Sequence, residues 1–513
     1  MLNDVPFAPF SKFDRLGKAA DWTGSQYGRQ RPGRRQYQGS QNAVNTVFSF
    51  QHTDDSQFQY VDNKTTTTRT SSRPGQRRGG GAWGRGRGMQ READRHDGGR
   101  EQVQEKRPPA PVRKKDKRPF FRENILRVNY SPSVELDLEW DQLTTIQLSA
   151  LGKASVRAQG PETVAECGAA PTLNKAIDVA GPRKPIGVPA ALRSEWRSPR
   201  AVEDKKLMAL LADGTANIVT TDKVLTALMT ASRSVYPFDL VLHKQGDKIV
   251  IDRRVASKMD LCTSHETAPE GVSEDHTSAN AVPALTWESD AVNGKFQVIS
   301  AMPGTANQFG GPAEFDGVPA SPEKIPKAFR YQKFDIGNDN SIVVRCEIDA
   351  VSKLRGEQVT FSVKALHEFD LRPGASGWRS KIQTQRGAVF ATEIKNNAHK
   401  VARWAAQAVL GGIDRMSIGY VSRKVSSNRD VHELLSVMSA VPSELAAQIA
   451  FNLDNAWGVV RSVVDTIKDS ADGMYLLTRD SSQPAALKMF AVPAGQFDEE
   501  EPAVYFVPEV PEE

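Results

Sequence analysis

Two short runs of β-branched and apolar residues each end in charged groups one residue apart. Ser341-Ile-Val-Val-Arg-Cys-Glu347-Ile-Asp349 closes on Glu-x-Asp, and Ala388-Val-Phe-Ala-Thr-Glu393-Ile-Lys395 closes on Glu-x-Lys. On a strand, side chains at i and i+2 leave the same face. Glu347 with Asp349, and Glu393 with Lys395, are therefore expected to converge on one cleft between neighbouring strands. Three carboxylates and an ammonium suit a metal-dependent phosphodiesterase: oxygen ligands for Mg²⁺, and a cation for the attacking water or the scissile phosphate. Asp239, at the start of another strand, is the candidate further acid. The competing reading is that these charges merely terminate strands, because Glu-x-Asp and Glu-x-Lys are common patterns. The sequence carries no phosphate-binding P-loop, dinucleotide fingerprint or Gly-x-Ser-x-Gly, and no His-rich cluster that would compete for a metal. Neither cofactor nor metal is expected.

The elements that would position these residues follow from periodicity. A helix starts at Thr221, with Asp222 as its expected N-cap and Val224, Leu228, Ala231 and Val235 along one face. Tyr236-Pro237 ends it. Phe238–His243 then reads as a strand with a hairpin partner over Lys248–Asp252, across Gln-Gly-Asp. Further strands are expected over 341–349, 358–365, 388–395 and 416–424, helices over 397–410 and 455–468, and a late hairpin over 473–478 and 486–491. Trp404 and Trp457 lie on apolar helix faces and read as core. The stretches 256–283 and 303–326 lose the pattern, and long loops of that kind inside a compact body act as lids or gates or are disordered. The fold class is mixed α/β, a single large sheet-based body.

Composition adds the partner. The 513 residues carry a net charge of +5, but residues 1–122 hold about +13 of it and the remainder about −8. A basic arm on a mildly acidic body points to a polyanion, most often RNA, with a solvated tail as the alternative. Residues 1–24 read as a partner-docking segment, because Phe7, Phe10, Phe13, Leu16 and Trp22 are too many large apolar groups for a linker. A strap packed on its own domain is the alternative there. Residues 25–122 read as a disordered arm whose Arg77-Arg78-Gly-Gly-Gly-Ala-Trp83-Gly-Arg85-Gly-Arg87 patch could stack on bases and neutralise phosphates. The body is expected over 123–496 and an acidic disordered tail over 497–513. Three scattered cysteines, Cys167, Cys262 and Cys346, argue for a reducing, cytoplasmic setting. No apolar run is long enough for a membrane span, so no membrane partner is expected.

A family resemblance emerges from segments spread in order along the chain. Phe10-Ser-Lys-Phe-Asp-Arg-Leu-Gly-Lys-Ala-Ala-Asp-Trp-Thr-Gly24, Thr221-Asp-Lys-Val-Leu-Thr-Ala-Leu-Met-Thr-Ala-Ser-Arg-Ser-Val-Tyr236, Val344-Arg-Cys-Glu-Ile-Asp349, Gln385-Arg-Gly-Ala-Val-Phe-Ala-Thr-Glu-Ile-Lys-Asn-Asn397, Gly419-Tyr-Val-Ser-Arg423 and Asn455-Ala-Trp-Gly458 resemble the mRNA cap-binding (d) subunit of eukaryotic translation initiation factor 3. The resemblance implies a cytoplasmic component of that complex whose body, similar to the decapping and exonuclease fold, binds the 7-methylguanosine cap of selected mRNAs without cleaving them. It implies docking of the N-terminal segment on the neighbouring e subunit, contact with the small ribosomal subunit, and an inherited, vestigial nuclease-like cleft at Asp239, Glu347, Asp349, Glu393 and Lys395. It places cap contacts at Asp222, Val235 and Tyr236, and on a second helix at Thr286, Ser289 and Asp290, where Ser-Asp replaces the family's Asn-His. It also matches Lys258-Met259-Asp260-Leu261-Cys262-Thr263-Ser264-His265-Glu266-Thr267-Ala268-Pro269-Glu270-Gly271-Val272 to an RNA gate, inside the stretch read as a lid.

A cap site has its own requirements. A methylated guanine is cationic and wants aromatic faces and a carboxylate, and its triphosphate bridge wants Lys or Arg. Tyr236 is the candidate platform and Asp222 the candidate acid, with helix capping as the competing role for Asp222. Arg345, Arg386 and Lys395 are candidate phosphate contacts, with ion pairs to Glu347 or Glu393 as the alternative. The other functional reading is a decapping or 5′-exonuclease enzyme using Glu347, Asp349, Glu393 and Lys395.

Overall fold

The computed structural model describes residues 132–188, 198–261, 263–266, 272–273, 278–315, 325–371, 377–480, 485–498 and 500. The 1–24 segment, the 25–122 arm, Cys262, Thr267, Ala268, Pro269, Glu270 and Gly271 lie outside the described residues. In chain order the regular elements are β1 (Asp141–Gln147), β2 (Gln159–Ala170), β3 (Ile186–Val188), α1 (Lys205–Ala212), β4 (Ile218–Thr221), α2 (Asp222–Met229), β5 (Phe238–Gln245), β6 (Lys248–Asp252), α3 (Val282–Ser300), β7 (Asn307–Gln308), β8 (Ala328–Gly337), β9 (Asn340–Ile348), β10 (Ala350–Leu354) and β11 (Glu357–Glu368). They continue with α4 (Trp378–Lys381), α5 (Arg386–Asn396), α6 (Ala398–Leu410), β12 (Arg415–Val425), β13 (Asn428–Ala440), α7 (Pro442–Gln448), α8 (Leu453–Lys468), β14 (Gly473–Arg479) and β15 (Ala486–Val492).

The class is mixed α/β, and the strands form two sheets. Ten strands run in the order β1-β15-β14-β5-β6-β4-β9-β8-β2-β7, and five in the order β10-β11-β12-β13-β3. β4 lies parallel to both β6 and β9, and β11 parallel to β12, while the hairpins are antiparallel. The largest apolar core takes Ile218, Leu240, Ile251 and Val344 from the large sheet and Leu366, Ile418 and Leu435 from the small one. Val224 and Leu228 of α2, Val401 and Trp404 of α6, and Val460 and Val464 of α8 join them. These three helices are thus the filling between two apolar sheet faces. On the outer sides, α1 packs Leu207, Leu210 and Leu211 against Val219, Val250 and Val343, and α3 packs Val292 and Phe296 against Ala365 and Val421.

Two of the sequence segments above have local physical reasons. A Cβ on Gly419 would lie 2.5 Å from the Phe296 ring, so this strand position admits only glycine if α3 is to seat its aromatic. Asn455, in the first turn of α8, ties that helix to the Leu151 and Ala154 carbonyls by donating to them at 2.8 and 2.7 Å, and Trp457 packs tilted against Phe334 with ring centroids 5.0 Å apart. Trp404 and Trp457 are buried in the main core, as expected.

Four expectations are corrected. The 388–395 run is helix α5: its buried residues Val389, Phe390 and Glu393 follow helical spacing, and Ala388, Ala391 and Lys395 are exposed. Helix α2 stops at Met229, short of Val235 and Tyr236, where the Thr230 hydroxyl turns back on the Thr226 carbonyl at 2.6 Å. Its N-cap is Thr221, whose Oγ1 accepts from Val224 N, and Asp222 is the first helical residue. The acidic tail does not begin at Phe497, which is buried against Trp140 and beneath the Arg254 guanidinium.

Candidate functional site

The end of β9 and the start of α2 meet around one lysine. Thr221 leads β4 straight into α2, so Asp222 and Lys223 emerge beside β9, which pairs parallel to β4. The Glu347 main-chain N–H donates to Asp222 Oδ2 at 3.3 Å, and Lys223 Nζ lies 3.4 Å from Glu347 Oε1. Asp349 follows at the strand end. It accepts Lys327 Nζ at 2.5 Å, Lys364 Nζ at 3.2 Å and the Val363 N–H at 2.8 Å. Asp222, Lys223, Glu347, Ser362 and Lys364 line a small polar recess, closed on one side by Gln407, Ala408 and Ile413.

Burial and charge set the ionisation of this cluster. Burial, then the neighbouring Glu347 charge, push Asp222 up to about 6 against the pull of Lys223. Burial would also raise Glu347 and Asp349, but the lysines win. Lys223 and then Lys327 hold Glu347 down at about 2, and Lys327 with Lys364 holds Asp349 well below the usual carboxylate range. Burial opposes the charge of Lys223, yet Glu347, Asp260, Asp222 and Asp290 together raise it above the usual lysine value. Three acids thus face three ammonium groups. A divalent cation would have to displace the lysines from oxygens they already hold, so the donor set does not fit an Mg²⁺ centre. Of the buried oxygens in the recess, Asp222 Oδ1 has no hydrogen-bond partner and Glu347 Oε1 has only the Lys223 ammonium, 3.4 Å away.

The structure disperses the other predicted nuclease residues. Asp239 lies on β5, three strand positions from β9, or about 14 Å of lateral spacing. It is held there by Arg254 through contacts of 2.6 and 3.1 Å. Glu393 on α5 accepts from Asn397 Nδ2 at 2.9 Å and shares its surroundings with Glu368 and Lys400. Burial, against Lys400 and with Glu368 adding, pushes Glu393 up to about 8. Lys395, two residues along the same helix, projects to a different side. Arg345 is no phosphate contact: it is fully buried, 3.0 Å from Asp204, and donates to the Pro199 carbonyl. Arg386 is exposed at the start of α5.

The groups that the sequence reading missed are Lys223, Lys327 and Lys364. Lys364 had a legible signal, a lone cation inside the apolar run Val359-Thr-Phe-Ser-Val-Lys-Ala-Leu366 that was itself read as a strand.

The remaining predicted residues are placed as follows. Asp290 of α3 bears on Lys223, whereas Thr286 bonds its own helix at Val282 O and Ser289 is buried with its hydroxyl 3.1 Å from His367 Nδ1. Next to Ser289, Glu288 binds His367 and His432 at 3.0 and 2.9 Å. Sequence reading did not find this His-Glu-His cluster, because its histidines lie on separate strands. Arg423 grips both Glu288 oxygens, and a guanidinium on the same carboxylate opposes a metal there. Val235 and Tyr236 follow α2 as a half-buried turn, with Ser234 Oγ accepting from Tyr236 N at 3.1 Å and Arg479 donating to Tyr236 O at 3.2 Å.

The described part of the 258–272 loop is fastened to this turn and to α6. Met259 is buried in the main core, and its carbonyl accepts from Arg403, which also bonds Lys223 O. Asp260 pairs with Arg253 at 2.8 Å. Lys400 donates to Thr263 O, the His265 N–H donates to Asn397 Oδ1, and Glu266 is buried against Ser234, Val235 and His399. Lys258, whose carbonyl accepts from the Leu261 N–H at 3.2 Å, and Leu261, Ser264 and Val272 complete the described loop residues.

Fold and site together define a mixed α/β body whose central acids are matched by lysines rather than left open for a metal. Comparison with known proteins then gives the family. The profile described as "Eukaryotic translation initiation factor 3 subunit 7 (eIF-3)" matches residues 1–490. Proteins named as the D subunit of eukaryotic translation initiation factor 3 are similar along nearly all of the chain. The Phaeosphaeria nodorum protein is 34% identical, covering 98% of this chain and 93% of its own. The Arabidopsis thaliana protein is 30% identical (97% and 86%), and the Nematostella vectensis protein 33% (98% and 91%). The chain belongs to this family of initiation factor 3 subunits, and other subunits of that factor are accordingly its partners. Among solved structures it is similar to Scheffersomyces stipitis Rai1 in complex with (3'-NADP)+ and calcium ion, at 12% identity and a TM-score of 0.41 over 71% of this chain and 95% of that one. K. lactis Dxo1 in complex with manganese gives 12% and 0.38 over 67% and 93%.

Proposed function

We propose that the body binds the 7-methylguanosine cap of mRNA, without cleaving it, and so recruits a subset of mRNAs to the small ribosomal subunit. The observation that carries this reading is the recess lined by Asp222, Lys223, Glu347 and Lys364, where the buried Asp222 Oδ1 has no hydrogen-bond partner and Glu347 Oε1 has only the Lys223 ammonium, 3.4 Å away. Leaving such acceptors short of donors is costly. A guanine supplies what they lack, a ring N–H and an exocyclic amino group side by side on one edge. Methylation at N7 makes that edge a stronger donor. Lys223 and Lys364, which line the same recess, suit the phosphates that follow the base. Asp290 and the Val235–Tyr236 turn are further cap contacts in this reading.

In this reading the remainder of the chain serves assembly in the cytoplasm. Residues 1–24 dock on the e subunit of the complex, and the Arg/Gly-rich arm adds sequence-tolerant RNA contacts. The experiment measures binding of one short RNA, capped and uncapped, to the whole chain and to Asp222→Asn. The wild type should prefer the capped form, and Asp222→Asn should lose about tenfold for that form alone, the worth of one charged hydrogen bond. Equal affinity of the wild type for both forms would overturn the proposal.

A further inference from the structure

Three of the seven large apolar side chains exposed among the described residues, Leu136, Leu138 and Leu143, sit close together where the chain enters the body. Leu138 is fully uncovered. Acids alternate with them: Glu135, Asp137, Glu139 and Asp141 are all exposed, and none forms an ion pair among the described residues. Residues 132–143 hold no lysine or arginine. They lead into and begin β1, the end strand of the ten-stranded sheet, which pairs with β15 on one side and with no described strand on the other. An open strand edge, exposed leucines and unpaired acids together suit an extended segment that is basic and partly apolar.

Charge decides among the occupants. RNA is repelled by this edge, and a second copy pairing edge to edge would set acid against acid. Residues 499–513, with six glutamates and no cation, are repelled as well. The chain just upstream has the complementary chemistry. Arg113-Lys114-Lys115-Asp116-Lys117-Arg118-Pro119-Phe120-Phe121-Arg122 carries six cations, one acid and two aromatics. Nine residues, 123–131, separate it from Pro132, a tether of about 30 Å when extended. That is long enough to fold back, and short enough to keep the run at high local concentration beside β1. We propose that residues 113–122 seat on their own body along the outer edge of β1, cations against Glu135, Asp137, Glu139 and Asp141, and Phe120 and Phe121 over the exposed leucines. RNA then has to take these cations from an internal acidic surface, so the edge tempers the pull of the arm on RNA. The inference does not rest on the cap-binding reading.

The test digests the purified full-length protein with trypsin under native conditions. Mass spectrometry follows cleavage between Arg113 and Arg118, with cleavage between Arg77 and Arg87 as the internal reference. The wild type is compared with Leu136→Ser combined with Leu138→Ser. Both side chains are exposed, so the variant keeps the body's thermal transition, and no charge changes. Cleavage between Arg113 and Arg118 should rise about tenfold in the variant, the worth of uncovering part of two leucine side chains, while the reference stays the same. The variant should also bind a short uncapped RNA more tightly in fluorescence anisotropy, because its cations no longer have an internal partner. Equal cleavage in the two proteins overturns the seat, as it would if a strand of another protein took this edge. Wild-type protection that fades on dilution overturns it too, because the run would then lie on a second copy. Unchanged RNA affinity of the variant overturns the competition.

Discussion

Asp222 carries two consequences that can be measured apart. Its carboxyl is pushed up to about 6 by burial and by Glu347, against about 3.9 in an unfolded chain. The ionised form is therefore disfavoured in the fold. Its cost to stability is absent below about pH 4, grows as pH rises to 6 and stays constant above that. Ligand binding runs the other way, because in the proposed reading Asp222 Oδ1 accepts its guanine donor most strongly when the carboxylate is ionised. Cap-analogue affinity should fall as pH drops through about 6, while Asp222→Asn should show a flat profile over the same window. A profile with the same slope in the variant would assign the titration to another group. Glu347 gives no such signal near neutrality, since Lys223 and Lys327 hold it ionised down to about 2. The recess thus holds two acids of opposite tendency 125 positions apart in sequence, and only their neighbours tell them apart.

At the scale of elements, helix α5 shows why the candidate site was half legible. Ser341–Asp349 was read correctly because a parallel-paired central strand is a continuous apolar run, and β9 is one. Ala388–Lys395 has a similar composition, but its buried positions recur at three and four residues, which places Glu393 inward and Lys395 outward. The lysines that neutralise the cleft come from α2, the stretch before β8, and β11. No local pattern announces that such distant segments meet. Glu393 offers a sharp check on its corrected place. Raised to about 8 by burial from an unfolded value near 4.3, it costs stability progressively as pH climbs from about 4.5 to 8. Glu393→Gln keeps an acceptor for Asn397 without the charge. It should match the wild type near pH 4 and be more stable at pH 8.5, by on the order of 5 kcal/mol, in chemical denaturation. A wild-type curve without that decline would contradict the buried position. Gly419 is the complementary case. Gly419→Ala drives a Cβ into the Phe296 ring and should cost about 1–3 kcal/mol by overpacking. Pairing it with Phe296→Leu should return part of the loss, and strict additivity would mean that the contact does not set the helix–sheet spacing.

For the molecule as a whole, charge is divided between segments and so, in our reading, is the work. The basic surplus lies in residues 1–122, while the rest of the chain is mildly acidic. The body therefore has little long-range pull of its own on RNA, and selectivity has to come from groups that touch the ligand. Two deletions separate these contributions. Removing residues 1–24 should release the chain from other initiation factor 3 subunits while leaving the body's thermal transition in place. Continued co-purification with the e subunit would refute that docking role. Removing residues 25–122 should weaken RNA binding equally for capped and uncapped forms and flatten its salt dependence, because released counterions scale with the phosphates neutralised. The same balance of charge bears on metal. Glu347 and Asp349, at the end of β9, each have a lysine within 3.4 Å, so no divalent ion is needed to offset them. Binding of capped RNA should be unchanged by EDTA, and Mg²⁺ or Mn²⁺ should produce no turnover. The decisive control is Glu347→Gln, which removes the nuclease-like acid that lines the recess and pairs with Lys223. Turnover of capped RNA in the wild type, abolished by Glu347→Gln, would mean that a metal can displace Lys223 after all. The lysine pairing would then be a resting state of an enzyme, not a permanent substitute for its cation.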